Sequence, residues 1–447
     1  MSDVLDVGDG VVRLAAQGEQ LEAYVARSTD TRIRVHDGEL EHLVVADALG
    51  VGVRIVADGR EGFAYCGTFE PGGLAETVVE ARENAAYAEP RDGAGLAEAD
   101  GCEPVDLDVW HPELSRIPTS RKVALAFELE RALTALGGPS LGIESCDYGD
   151  VVGEAAVVTT TGLRRTAKAS GCHLVTSAMA EGDGSTQRGL GYSLGRAFDD
   201  LDVDRAADEA AARARRMVGA TKPRSARLTV VLEPRVTAQL IEALAAMLAA
   251  EEVLKGRSLF GGRVGERVAA PAVTLVEDPT DPRLWGAVSV DDEGLATRRV
   301  PLVEAGVLRG FVHCTATARR ARARSTGSAV RSGFRAIPTS ACRAVSLAPG
   351  PLDAATLLAG IDDGVLVQEV SGLQSGVNPV SGDVSTGAAG LRIRHGEPAE
   401  PVREFTMAST VERLLGNVVA VGDDLTMLPM SAAGTTLVID DVSVSGR

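Results

Sequence analysis

Gly376-Val377-Asn378-Pro379-Val380-Ser381-Gly382-Asp383, continued by Val384-Ser385-Thr386-Gly387-Ala388-Ala389-Gly390, packs four glycines, a proline, an Asn, an Asp and three hydroxyl residues into fifteen positions. Val365-Leu366-Val367 on one side and Leu391-Arg392-Ile393-Arg394 on the other read as strands. A hairpin turn needs one glycine or an Asn-Gly pair, so this run holds more glycine than a turn requires. Two readings stand: a long glycine-rich hairpin loop, or backbone that passes close to another backbone or a ligand.

Outward from that stretch, the C-terminal part begins with a strand at Leu228 to Leu232 and a helix at Pro234 to Ala250. Short strands and Asp, Gly and Pro turns continue to a last strand at Thr435 to Val444. Upstream, the polar segment Ala220 to Ala226, with Pro223, marks a boundary. The N-terminal part opens as a meander of strands: Leu21 to Arg27, Thr31 to His36, Leu40 to Ala46, Val51 to Ala57 and Gly62 to Cys66. Asp37-Gly38 and Asp58-Gly59 are its turn signals. A helix follows at Leu74 to Ala88. A second spans Thr119 to Leu136, with Thr119 or Ser120 as cap and Gly137-Gly138-Pro139 as stop. Strand-like runs at Leu141 to Asp147, Val151 to Thr160, Arg165 to Met179 and Gln187 to Arg196 precede a helix at Val203 to Val218. Strands cluster instead of alternating with helices, which predicts an α+β chain of two domains. Residues 1–222 would form a mixed sheet with helices, and residues 223–447 a mostly antiparallel barrel or sandwich with few helices.

A chain of 447 residues is too long for one ordinary core. Aromatic content of 3% leaves Val, Leu, Ile and Ala to build it. A net charge of −18 argues against a general binder of nucleic acid or anionic membrane and fits a cytoplasmic protein. Met1 to Asp6 is acidic and unlike a signal peptide, and no apolar run reaches spanning length. The six cysteines are scattered without a CxxC pair, which predicts reduced thiols.

Four local features bear on chemistry. In the Pro234-to-Ala250 helix, Leu240, Leu244 and Leu248 make a buried stripe, and Glu242 lies about 160° away, as a solvated carboxylate would. Asp291-Asp292-Glu293-Gly294 could supply an acid/base pair or bind a hard cation, but a turn explains it more simply. Arg319, Arg320, Arg322, Arg324, Arg331 and Arg335 form a positive island in an acidic chain, suited to a carboxylate or phosphate or else a charged mobile loop. His313-Cys314 is a poor dyad, because neighbours on a strand point to opposite faces.

Taken in order, several motifs resemble the TldD/PmbA family, also called modulators of DNA gyrase. They are Asp291 to Gly294 followed by Thr297-Arg298-Arg299 and Leu302 to Gly310, then Ser325-Thr326-Gly327 and Arg331-Ser332-Gly333, then Gly376-Val377-Asn378-Pro379 through Gly390, and Asn417 to Leu425. The resemblance covers nearly the whole chain. It implies a complex of two related chains that cleaves unfolded peptides in an enclosed channel, adding them to a sheet edge. One chain, the TldD type, carries an HExxxH zinc helix and a Cys ligand. The other, the TldE or PmbA type, lacks them.

Placed on Leu240 to Glu251, the zinc motif here reads Ile241-Glu242-Ala243-Leu244-Ala245-Ala246, with Ile241 and Ala246 where the family's metal-bearing chain has His. No Cys follows Cys342. Catalytic zinc needs about three protein ligands, so the resemblance implies a non-catalytic TldE-type subunit, with no metal of its own and zinc in a TldD-type partner. By the same resemblance Gly376, Val377, Asn378, Pro379, Asp383, Gly387, Arg324 and Arg331 would hold the peptide. Rival expectations are a metal-free homodimeric enzyme of a biosynthetic pathway that uses Asp291, Asp292 or Glu293, and a binding adaptor protein.

Overall fold

The computed structural model describes residues 3–137, 141–182 and 184–447. The N-terminal half is built in chain order from α1 (Val4–Val12), β1 (Gln20–His36), β2 (Glu39–Ala57), β3 (Arg60–Cys66), α2 (Pro71–Tyr87), α3 (Thr119–Leu136), β4 (Leu141–Thr159), β5 (Arg164–Gly182), β6 (Ser185–Gly195) and α4 (Val203–Arg216). Its strands form one sheet in the order β3-β2-β1-β4-β5-β6, antiparallel at every pairing. Asp37-Gly38 and Asp58-Gly59 turn the meander as expected. Both residues of each pair have positive φ, the requirement of the tight hairpin turn that suits strand twist.

Several expected strands fuse. Leu21 to Arg27 and Thr31 to His36 are one strand, as are Leu40 to Ala46 and Val51 to Ala57, and Leu141 to Asp147 and Val151 to Thr160. The polar residues that seemed to break them are absorbed by cross-strand bonds; Thr29 Oγ1 donates to Asp47 Oδ1 at 2.6 Å. Helix α1 was not foreseen, although Asp3 caps it by accepting from the Leu5 amide at 2.8 Å and Val4, Val7 and Val11 are buried. Helix α3 has the expected bounds, but its cap is Pro118, so neither Thr119 nor Ser120 serves. Gly138 and Pro139 of its expected stop lie outside the described residues, as do Met1 and Ser2.

Alternate residues of β1 decide the layering. Leu21, Ala23 and Val25 pack under α1 and α2, and Ile33 and Val35 under α3 and α4. Glu22 and Tyr24 point to the opposite face, which meets the C-terminal half.

That half begins with β7 (Ala226–Leu232) and α5 (Pro234–Met247), the latter shorter than expected because a separate turn of helix starts at Ala250. Five strands close a barrel: β7, β8 (Asp363–Ser371), β9 (Asp383–Arg394), β10 (Glu397–Thr410) and, beyond β11 (Val418–Val421), β12 (Leu437–Ser445). Closure comes from Thr406 to Ala408 of β10 pairing with Ser445 to Ser443 of β12. Only β7 and β8 run parallel within it. The barrel settles the choice left open between barrel and sandwich, and the α+β class holds. Helix α5 leaves the end of β7 and buries Leu240, Ile241, Leu244 and Met247 against the barrel.

The glycine-rich stretch is mostly strand, not loop. Gly376 ends a short helical turn, residues 377–382 form a loop, and the rest is β9, hydrogen-bonded to β8 and β10 on either side. Gly390 shows why glycine is needed: a Cβ there would lie 1.9 Å from the Leu366 carbonyl oxygen. The close partner is therefore backbone, the second of the two readings. Among the described residues no helix is long and apolar enough to cross a membrane, and the six cysteines are unpaired.

Candidate functional site

Two charged regions stand out, and they differ in kind. The first is the junction between the halves. Asp291-Asp292-Glu293-Gly294 is a turn, with Gly294 at φ 82°. The Asp291 carboxylate accepts from the amides of Glu293, Leu295 and Ala329 at 2.9–3.0 Å. Asp292 Oδ2 accepts from the Arg331 amide at 2.7 Å and from Arg343 at 3.1 Å. Glu293 accepts from the Thr315 amide at 2.8 Å and lies 3.5 Å from Arg54. Arg54 also grips Glu22 through two bonds, at 2.7 and 3.2 Å, and Arg331 pairs with the same Glu22. Burial alone would raise Glu22, but Arg331 and Arg54 outweigh it and hold the carboxylate low. Tyr24, under the Arg331 guanidinium at 4.8 Å, has its phenol pushed up by burial and by Asp292. The bonds of Arg54, Arg331 and Glu22 hold the β1–β2 face to the C-terminal loops.

The expected arginine island dissolves accordingly. Arg331 is fully buried in that junction and cannot touch a ligand, which overturns its expected contact with peptide. Arg319 donates to the Leu96 carbonyl at 2.7 Å, and Arg320 pairs with Glu251 at 3.2 Å. Arg324 is exposed in the loop after Thr315–Ala321, away from the cleft described next. His313 and Cys314 are both buried. The Cys314 thiol is pushed up by burial and lies 3.5 Å from Thr317 Oγ1.

The second region is a cleft along the outer face of α5. One arm, about 720 Å3, runs between Glu242, Ala243 and Ala246 of α5 and the segment from Gly372 to Pro379. Gln239 and Val370 also line a second arm of about 340 Å3, reached past Arg235 and walled by Arg188 and Leu190 of β6 and by Gln368 and Glu369 of β8. Pairing of β8 with β7 stops at Val367, where β7 hands over to α5. The β8 backbone after Val367 therefore has β9 on one side and no strand on the other.

The expected peptide-binding residues divide at this cleft. Val377 and Pro379 line it. Gly376 ends a short helical turn beside it, where a Cβ would meet the Ser385 carbonyl oxygen. Asn378 holds the turn, its side chain accepting from the amides of Val380 and Ser381 at 2.9 and 3.1 Å. Asp383 accepts from Ser381 Oγ at 2.6 Å, and Gly387 sits within β9. The degenerate helix positions divide too. Ile241 is buried in the core, while Glu242 and Ala246 reach the cleft. Glu242 is not free in solvent, as its place on the helix suggested. Its Oε1 accepts from the Ser431 hydroxyl at 2.7 Å and the Ser431 amide at 3.2 Å.

Arg235, Gln239 and Gln368 were missed. The two on α5 had a signal: Arg235, Gln239, Glu242 and Ala246 recur at intervals of four, three and four, a second stripe opposite the leucines, whereas nothing local marked Gln368 on β8.

Comparison with known proteins matches three successive domain profiles: PmbA/TldA metallopeptidase domain 1 over residues 21–85, the central domain over 112–218 and the C-terminal domain over 225–446. A metalloprotease PmbA of Escherichia coli is 24% identical over 97% of this chain and 94% of its own. A metalloprotease of Methanothermobacter thermautotrophicus is 28% identical over 95% and 90%. Among solved structures, a putative modulator of DNA gyrase from Thermotoga maritima superposes with TM-score 0.89 at 25% identity, covering 98% of this chain and 99% of that one. TldE of Thermococcus kodakarensis superposes at 0.86 with 21% identity and 99% coverage of both. The metal that a metallopeptidase name implies does not fit the residues on α5, whose cleft face offers one carboxylate, already bonded to Ser431, and no imidazole or thiolate. Among the described residues no three His, Cys, Asp or Glu side chains converge to hold an ion. By its three matched domains and its fold, the chain belongs to the PmbA/TldD metallopeptidase family.

Proposed function

We propose that the chain is a TldE-type subunit: it shapes a peptide channel and leaves hydrolysis to a related, zinc-bearing TldD-type chain. The observation that carries this is the character of the α5 cleft. It keeps the family's helix beside a strand edge and the Gly372-to-Pro379 wall, yet presents Ala246 and an engaged Glu242 where hydrolysis would need strong ligands. An extended peptide suits the site, because among the described residues no strand pairs with the β8 backbone beyond Val367 on the cleft side. This chain's part is to bind and orient that backbone. The rival acid/base use of Asp291, Asp292 or Glu293 is disfavoured, since their oxygens are taken up by amides and guanidinia.

The test is reconstitution. Mixing the purified chain with a TldD-type chain should give metal-dependent cleavage of an unfolded peptide that neither shows alone. Full activity from the partner by itself, or stoichiometric zinc bound by this chain alone, would overturn the reading.

A further inference from the structure

We propose that Arg235 receives the C-terminal carboxylate of an extended peptide, fixing the direction in which the peptide lies along the cleft. This deepens the peptide-channel reading and rests on it. Arg235 is the second residue of α5 and lines the smaller arm of the cleft. Two other arginines line the same arm, and both are committed. Arg213 pairs with Glu233 at 2.7 Å and Glu209 at 3.0 Å, and Arg188 pairs with Glu144. Arg235 has no hydrogen bond or ion pair among the described residues, although it is half-buried. Glu369 is the acid whose charge it feels from β8, but no ion pair joins them.

A half-buried guanidinium carries five N–H donors that water reaches poorly. A carboxylate answers two of them at once in the planar, bidentate geometry that lysine cannot supply. The neighbourhood singles out the end of a chain. The arm is small at about 340 Å3, against about 720 Å3 for the arm beside Ala246. Arg235 and Ala246 are eleven residues apart on one helix, a rise of about 16 Å. That span matches about five extended residues. A peptide with its last carboxylate on Arg235 would thus run its preceding residues past Gln239 and Glu242.

The experiment uses the full purified chain and a fluorescently labelled, unstructured, uncharged decapeptide in two forms, with a free C-terminal acid and with a C-terminal amide. Anisotropy titration should show the acid binding at least tenfold more tightly. Arg235→Gln should bring the acid down to the amide's affinity and leave the amide unchanged, with a thermal melt altered little because no hydrogen bond or ion pair among the described residues is lost. Equal binding of acid and amide to the natural chain would overturn the assignment. So would an Arg235→Gln variant that weakens both forms alike, or an amidated peptide with a mid-chain Glu that binds as tightly as the free acid. If neither form binds at all, the channel reading fails first and the assignment falls with it.

Discussion

The junction and the cleft are built from the same side chains put to opposite uses. At the junction Glu22, Arg54, Glu293 and Arg331 are buried and each has its countercharge. In the cleft Arg235 is half-buried, with Glu369 and Glu209 near enough to be felt but no ion pair among the described residues. Charges withdrawn from water are tolerated when every lone pair and proton is answered, and removing one partner is then expensive. A charge left open beside a cavity has no such structural task. Sequence composition does not separate the two, because the arginine-rich segment from Arg319 to Arg335 spends Arg319, Arg320 and Arg331 on scaffold, while the open arginine of the cleft lay on a helix that looked merely amphipathic.

The sharpest way to break the contrast is Arg54→Ala. It strands Glu293 and leaves Glu22 with Arg331 alone and Glu61 with Arg91 alone, and the expected loss is about 3–5 kcal/mol in urea unfolding. A loss below about 1 kcal/mol would mean the junction is not held by its charges.

Next in size is a pair of histidine substitutions on α5. Ile241→His buries an imidazole in the barrel-facing core and should cost about 2–4 kcal/mol. Ala246→His faces the cleft and should cost less than about 1 kcal/mol. Equal destabilisation of the two would show that the helix is not oriented as described, and calorimetry reads both.

The smallest effect is a pH slope. Glu277 is buried, and desolvation raises it to about 7 despite amide bonds from Arg343 and Ala344 at 2.9 and 3.1 Å. A folded value above the unfolded one means that the folded state holds the extra proton. The stabilisation is full below about pH 4.5 and is lost as pH rises through about 7. Glu277 should therefore contribute a fall of about 1 kcal/mol from pH 5.5 to 6.5, and Glu277→Gln should remove that share while leaving the like-signed share of Asp291, which burial also raises to about 7. Glu22 works in the opposite sense, since its lowered value costs stability only under more acid conditions.

Much of the fold was legible because its signals are local. The Asp-Gly turns, the leucine stripe of α5 and the bounds of α3 depend on neighbours in sequence. What escaped depends on distant chain. Asp47 reads as a strand end until Thr29 bonds it, and Gly387 and Gly390 read as loop until β8 passes against them. The candidate site was less legible for the same reason. Glu242 looked solvated because Ser431 lies far along the chain, and Arg331 looked free because Glu22 is more than three hundred residues away. Val377, Pro379 and Ala389 were the members of the quoted stretch that reached the cleft wall itself.

The locked junction also governs how far the cleft can move. Parting the two halves would tear Arg331 from Glu22 and leave both ionised in a dry interior, so the arm walled by β6 from one half and β8 from the other resists widening. On the peptide-channel reading proposed above, entry would then be a filter on shape: an unravelled polypeptide would pass, a folded one would first have to come undone, and the guest's own unfolding equilibrium would set the pace.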